Sequence, residues 1–135
     1  MKLYTTYPGH FVGYTTKITA EHCGFKYENV YVAPGGEIDT DPAFIAKIAH
    51  HNFPALELQD GSIISQSIAL SKYIANETGH KEFIGNNAFE AAQIDQFCSI
   101  AQSDILPVTL PIALTTFGWL VDPAKNAASI KAVKE

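Results

Sequence analysis

Two short stretches of the chain carry groups able to hold a small anionic ligand. One is Phe53-Pro54, which opens the apolar run Ala55-Leu56-Glu57-Leu58. Cis peptide bonds are essentially a proline property and occur in tight turns. A cis bond there bares the neighbouring backbone. The other stretch is Ser65-Gln66-Ser67, just ahead of Ile68-Ala69-Leu70, where a helix begins. The first N–H groups of a helix lack intrahelical partners and carry a partial positive charge, so a carboxylate binds there readily. Ser67 adds a hydroxyl. Either Ser65 or Ser67 can instead simply cap the helix. Read together, the two stretches make a docking place for a small acidic peptide.

Other reactive residue types are less suggestive. His50-His51 is a pair of neighbours on a predicted helix, which point about 100° apart. No Cys, Asp or Glu stands nearby at ligand spacing, so no metal site is expected there. Cys23 and Cys98 are far apart and form no CxxC motif; two free, reduced thiols are the plain reading. Phe117 and Trp119 read as core or interface aromatics. The lysines near the C-terminus suit a helix end and need no partner.

The elements that must position these residues follow from local pattern. Lys2–Tyr7 suits a strand, broken by Pro8-Gly9. Between His10 and Cys23, Phe11, Tyr14 and Ile18 recur at helical spacing, and Gly24 is a stop. Lys26–Val32 alternates like a strand. Pro34-Gly35-Gly36 marks a loop. Asp41-Pro42 places a cap and an N1 proline ahead of a helix predicted through Phe44, Ile45 and Ile48 to about His50. Ala55–Leu58 is a strand, Asp60-Gly61 a hairpin turn, and Ser62–Ile64 the return strand. The next helix carries Ile68, Ala69, Tyr73 and Ile74 on one face and ends at Gly79. The order is βαβ followed by ββα, a thioredoxin-like arrangement within the α/β and α+β folds. A linker is expected over 80–87. From Ala88 a long helix shows Phe89, Ala92, Phe97, Ile100, Ala101 and Ile105 on a face to be buried. Pro107 and Pro111 predict a break or kink. A last helical stretch is expected from Asp122-Pro123.

Composition narrows the function classes. The 135 residues suffice for one domain, or a small domain and part of another. A net charge of −5 and a pI near 5.4 argue against a nucleic-acid surface. No run approaches the roughly 18 apolar residues needed to span a membrane. Met1-Lys2-Leu3-Tyr4-Thr5 lacks the apolar core of a signal peptide. The cytoplasm is the expected compartment.

The segment Phe53–Tyr73, with its Pro-Ala-Leu strand, Asp-Gly turn and Gln-Ser helix start, resembles the glutathione transferase superfamily. That resemblance implies a thioredoxin-like domain over 1–79, a linker over 80–87, and over 88–135 the start of an all-α C-terminal domain. It also implies glutathione as ligand or co-substrate, with no other cofactor. Phe53 and Pro54 would meet its cysteinyl part, and Gln66 and Ser67 its γ-glutamyl end. Asp104 would reach in from the helical domain or a partner subunit, unless it is a cap or a solvated charge. Gln93–Pro107, with its Ser103-Asp104-Ile105-Leu106-Pro107 run, resembles the elongation factor 1-gamma family, as do Leu3-Tyr4-Thr5 and Phe117-Gly118. This second resemblance implies a protein-interaction module of the guanine-nucleotide exchange complex in translation elongation. Its partners would be other exchange-complex subunits, with homodimerisation open and neither nucleic acid nor membrane bound directly.

The alternative is a cytosolic transferase that conjugates glutathione to electrophiles. It must ionise a thiol of pKa about 8.5, a drop of roughly two units or about 3 kcal/mol. Catalytic relatives place a Tyr, Ser or Cys just after the first strand. Here the chain reads Tyr7-Pro8-Gly9-His10-Phe11. His10 or Tyr7 would have to stabilise the thiolate. His10 reads equally as an exposed loop residue and Tyr7 as a packed strand-end aromatic. The loop has no cysteine, which excludes thioredoxin-type redox chemistry. The helical domain of the superfamily is longer than 88–135, so the chain is expected to be part of a longer protein. Its long helix would then expose apolar surface, with weak stability or self-association through the Phe97 face.

Overall fold

A computed structural model of the chain describes residues 1–6, 11–48 and 52–116. The chain divides into two compact units, Met1–Asn86 and Asn87–Glu135.

The first unit is built on four strands: β1 (Lys2–Thr5), β2 (Glu28–Tyr31), β3 (Ala55–Glu57) and β4 (Ile63–Ser65), in the sheet order β2-β1-β3-β4. β1 runs parallel to β2 and antiparallel to β3, and β3 is antiparallel to β4. Helix α1 (Phe11–His22) makes the crossover between the parallel pair, and α4 (Ser67–Thr78) follows the hairpin. The arrangement is thioredoxin-like, as the pattern predicts.

Strand alternation sends successive residues to opposite faces. Leu3 and Leu56 point toward one core with Ala20 and Phe25 of the α1 region and Leu70 and Ile74 of α4. Tyr4 and Ala55 point the other way, into a second core with Val32 and Ile48. Between α1 and α4 the buried threonines find partners. Thr16 Oγ1 donates to the Ser67 carbonyl at 3.4 Å, and Thr19 Oγ1 lies 3.2 Å from Ser71 Oγ.

Several elements differ from the sequence expectation. The helix predicted from Pro42 to about His50 is only one turn, α3 (Pro42–Ile45), and a separate turn, α2 (Glu37–Thr40), precedes it. Asp41 does cap α3, accepting from Ala43 N–H at 2.9 Å, with Pro42 at the first helical position. Its extended backbone separates the two turns. Past Ile45 the bonds tighten to i→i+3 (Lys47 to Phe44, Ile48 to Ile45), which ends the helix. His50 and His51 lie outside the described residues. The return strand is Ile63–Ser65 because Ser62 stays in the turn, donating through both N–H and Oγ to Asp60 Oδ1. The predicted linker holds a 3₁₀ turn at Lys81–Phe83.

In the second unit, Asn87 Oδ1 accepts from Phe89 and Glu90 N–H, both at 3.0 Å, and starts α5 (Ala88–Ile100). Pro107 and Pro111 do not break the helix. It continues through a π turn (Ala101–Ile105) into α6 (Leu106–Thr116). A proline displaces the carbonyl four residues back. For Pro107 that carbonyl is Ser103, inside the wider π turn, where Leu106 N–H already reaches back to Ala101. Phe89, Phe97 and Ile105 are exposed rather than buried. The 29-residue helix Ala88–Thr116 is also long and apolar enough to cross a membrane by length and composition, which corrects the expectation that no run approaches that length. A packed core helix meets the same criteria. The helical stretch expected from Asp122 lies outside the described residues.

Candidate functional site

The β3–β4 hairpin brings together the two stretches that the sequence marks as candidates for ligand binding. Ala55 and Ser65 are register partners, so Phe53-Pro54, entering β3, and Gln66-Ser67, leaving β4, stand at one end of the sheet. Tyr4 pairs with Ala55, so β1 finishes at the same end. The hairpin turn that sets this register is local chemistry: Gly61 takes φ +81°, and Asp60 is locked to Ser62. Those two hydrogen bonds hold the Asp60 carboxyl below its usual range.

The Phe53–Pro54 peptide bond is cis. Pro54 is fully buried, and the half-buried Phe53 ring stacks on Phe44 at 6.4 Å between centroids. Gln66 occupies the N-cap of α4 with φ +79° and ψ +117°, and no side chain caps the helix. Neither Ser65 nor Ser67 takes the capping role that the sequence left open. Ser65 ends β4, and Ser67 is the first helical residue. The first turn of α4 carries no acidic residue. Its positive end is therefore neither capped by a side chain nor countered by a carboxylate of its own. Thr6, just past β1, holds its Oγ1 buried without a hydrogen-bond partner among the described residues. A buried, unpaired hydroxyl costs about 1–3 kcal/mol, and a ligand atom would relieve that cost.

Gln66 and Thr6 have features that sequence reasoning missed. A residue other than glycine at positive φ is uncommon and costs on the order of 1–3 kcal/mol, and such residues cluster at functional sites. No residue type in Ser65-Gln66-Ser67 announces that conformation.

The other predicted site residues are placed differently. Tyr7 and His10 lie outside the described residues. Asp104 belongs to the second unit, on the π turn, exposed, and accepts from Ser103 Oγ at 2.9 Å. Tyr4 is a tyrosine the sequence reading did not weigh as a thiol activator. Its hydroxyl donates to Glu57 Oε2 at 2.7 Å, and burial, reinforced by that carboxylate, pushes its pKa up to about 12. It is committed to Glu57 and is a poor proton donor.

The strand order and the helices packed on the sheet define a thioredoxin-like unit. The family described as "Glutathione S-transferase, N-terminal domain" matches residues 1–76. The chain belongs to that family. It is also similar to elongation factor 1-gamma of Artemia salina, 36% identical over 108 residues, covering 80% of this chain and 24% of that protein. The Homo sapiens elongation factor 1-gamma is 30% identical over 116 residues, covering 84% and 26%. The chain thus spans about a quarter of the length of these relatives. Among solved structures, glutathione transferase F7 from Populus trichocarpa superposes with a TM-score of 0.80 at 22% identity, over 97% of this chain and 64% of that one.

Proposed function

We propose that the chain is a glutathione-transferase-like interaction module of the elongation factor 1-gamma type. In this reading it works in the cytoplasm, holds other subunits of the guanine-nucleotide exchange complex, and does not turn over substrate. Residues 1–79 form the thioredoxin-like part, 80–87 the linker and 88–135 part of a helical domain. The observation that carries this reading is similarity to elongation factor 1-gamma over four-fifths of the chain, running past the thioredoxin-like unit into the long helix.

A second reading, a cytosolic glutathione transferase, is favoured by the sheet end itself: the uncapped α4, the positive φ of Gln66 and the buried Thr6 hydroxyl, unpartnered among the described residues. In both readings glutathione would lie along Phe53-Pro54 with its γ-glutamyl carboxylate on Gln66 and Ser67. Asp104 would contribute from the helical part or from a partner subunit, as the family resemblance implies. The enzyme further needs His10 or Tyr7 to stabilise the thiolate.

The test uses the chain with purified exchange-complex subunits, monitored by light scattering after size exclusion, alongside turnover of glutathione with a generic electrophile. The scaffold reading expects a defined complex and no turnover. Robust turnover abolished by His10→Ala or Tyr7→Phe would overturn it in favour of the enzyme.

A further inference from the structure

At the opposite, C-terminal ends of α1 and α4, three side chains far apart in sequence converge. We propose that His22, His80 and Glu82 form a binding site for a borderline divalent transition-metal cation, foremost Zn²⁺, which ties the ends of the two helices together. Their ligand atoms all lie within 4.8 Å of one another. Glu82 Oε1 is 2.6 Å from His80 Nδ1 and 3.6 Å from His22 Nε2. Tetrahedral zinc with bonds near 2.0–2.1 Å sets its ligand atoms about 3.3 Å apart. The His22 separation is close to that value. The His80 separation opens to it by a small rotation of Glu82, whose side chain is 55% exposed.

The backbone holds the set in place. Both helices end in the same way, with a left-handed glycine and paired 6→1 and 5→2 bonds. For α1, Gly24 has φ +64°, Phe25 N–H reaches Ala20 O at 2.9 Å, and Gly24 N–H reaches Glu21 O at 3.2 Å. For α4, Gly79 has φ +77°, His80 N–H reaches Ala75 O at 2.9 Å, and Gly79 N–H reaches Asn76 O at 3.3 Å. His22 therefore sits in the last turn of one helix and His80 immediately past the other. The 3₁₀ turn beginning at Lys81 returns Glu82 toward both. The His22 ring is further held edge-on by Phe83, at 5.2 Å and 79°.

The chemistry selects the ion. Two imidazoles and one carboxylate suit zinc and its neighbours, whereas magnesium and calcium require all-oxygen shells. The partial negative charge at two helix C-termini favours a cation. A hydrogen-bonded cluster accounts for His80 with Glu82, but it leaves a second imidazole aimed at the same carboxylate oxygen. One cation between the three groups satisfies all of them. Exposure of His22 and Glu82 leaves the remaining coordination positions to water.

Zinc titration by calorimetry of the full chain tests this. One equivalent should bind with Kd below ~100 μM, tighter than about −5 kcal/mol. His22→Gln, His80→Gln and Glu82→Gln should each weaken binding at least tenfold. A His50→Gln/His51→Gln double variant should bind as the parent does. Should any variant fold poorly, Co²⁺ added to the unsubstituted chain gives an independent readout, because paramagnetic shifts should appear on the His22 and His80 imidazole signals. Absence of saturable 1:1 binding, full affinity in the His22→Gln/His80→Gln protein, or cobalt shifts confined to other histidines would each overturn the site.

Discussion

Gln66→Gly separates ligand function from folding. Gln66 sits at φ +79° as the N-cap of α4, and its side chain makes no capping bond. A Cβ in this region costs on the order of 1–3 kcal/mol. Glycine removes that cost and adds about 0.5–1 kcal/mol of unfolded-chain freedom. The net expectation is a more stable protein, by about 1 kcal/mol. For a unit of Met1–Asn86, that raises Tm by about 4–8 °C. Gln66→Ala keeps the Cβ and should change stability by less than about 0.5 kcal/mol. Both variants lose the amide that the proposed glutathione contact uses. Losing one hydrogen bond, worth about 0.5–1.5 kcal/mol, should weaken glutathione binding about two- to tenfold. Urea unfolding and calorimetry read the two effects. A Gly variant that is less stable than the parent would refute the strain. Equal stability of Gly and Ala would also refute it. Unchanged glutathione affinity in both variants would refute the ligand role.

Leu70 is fully buried between α4 and the sheet, so Leu70→Ala should cost about 2–5 kcal/mol and lower the urea midpoint at constant slope. Asn87→Ala removes the acceptor for two helix N–H groups. It should cost about 1 kcal/mol, seen as faster amide exchange at Phe89 and Glu90. Tyr4 ties stability to high pH. Its folded pKa, about 12, is raised above the ordinary 10.0, so the stabilisation is complete below pH 10 and is lost as pH rises toward 12. The loss is at most about 2–3 kcal/mol, reduced where solvent reaches the hydroxyl. The difference between parent and Tyr4→Phe, from urea unfolding at pH 9 and again at 11.5, isolates this from Tyr27 and Tyr73, whose pKa values are also raised.

What the sequence makes legible is what local chemistry dictates. Asp60-Gly61 requires its turn, Asp41-Pro42 its cap, Gly79 its helix stop, and Phe53-Pro54 admits the cis bond; all four are where the residues put them. The misses have a common cause. The α2 turn, only four residues long, is too short to show a period and follows a Pro-Gly-Gly loop. The π turn before Pro107 is a backbone adjustment that no residue type encodes. Gln66 has no intrinsic preference for positive φ, so only the closing geometry of the hairpin onto α4 reveals it. His22, His80 and Glu82 share no local motif and meet only because two helices end side by side.

The same distinction bears on function. The proposed glutathione contact depends on hairpin register: Ala55 opposite Ser65 sets Phe53-Pro54 and Gln66-Ser67 at one end of the sheet. In the transferase reading, thiol activation would fall to a different part of the sequence, Tyr7 or His10. The lack of a Ser or Cys there is a separate matter from the hairpin register. Leu3, Leu56 and Leu70 share one buried core, which holds the sheet to its helices. Even a corner that binds glutathione would therefore be a weak argument for turnover, and the turnover assay on His10→Ala and Tyr7→Phe discriminates where the fold cannot.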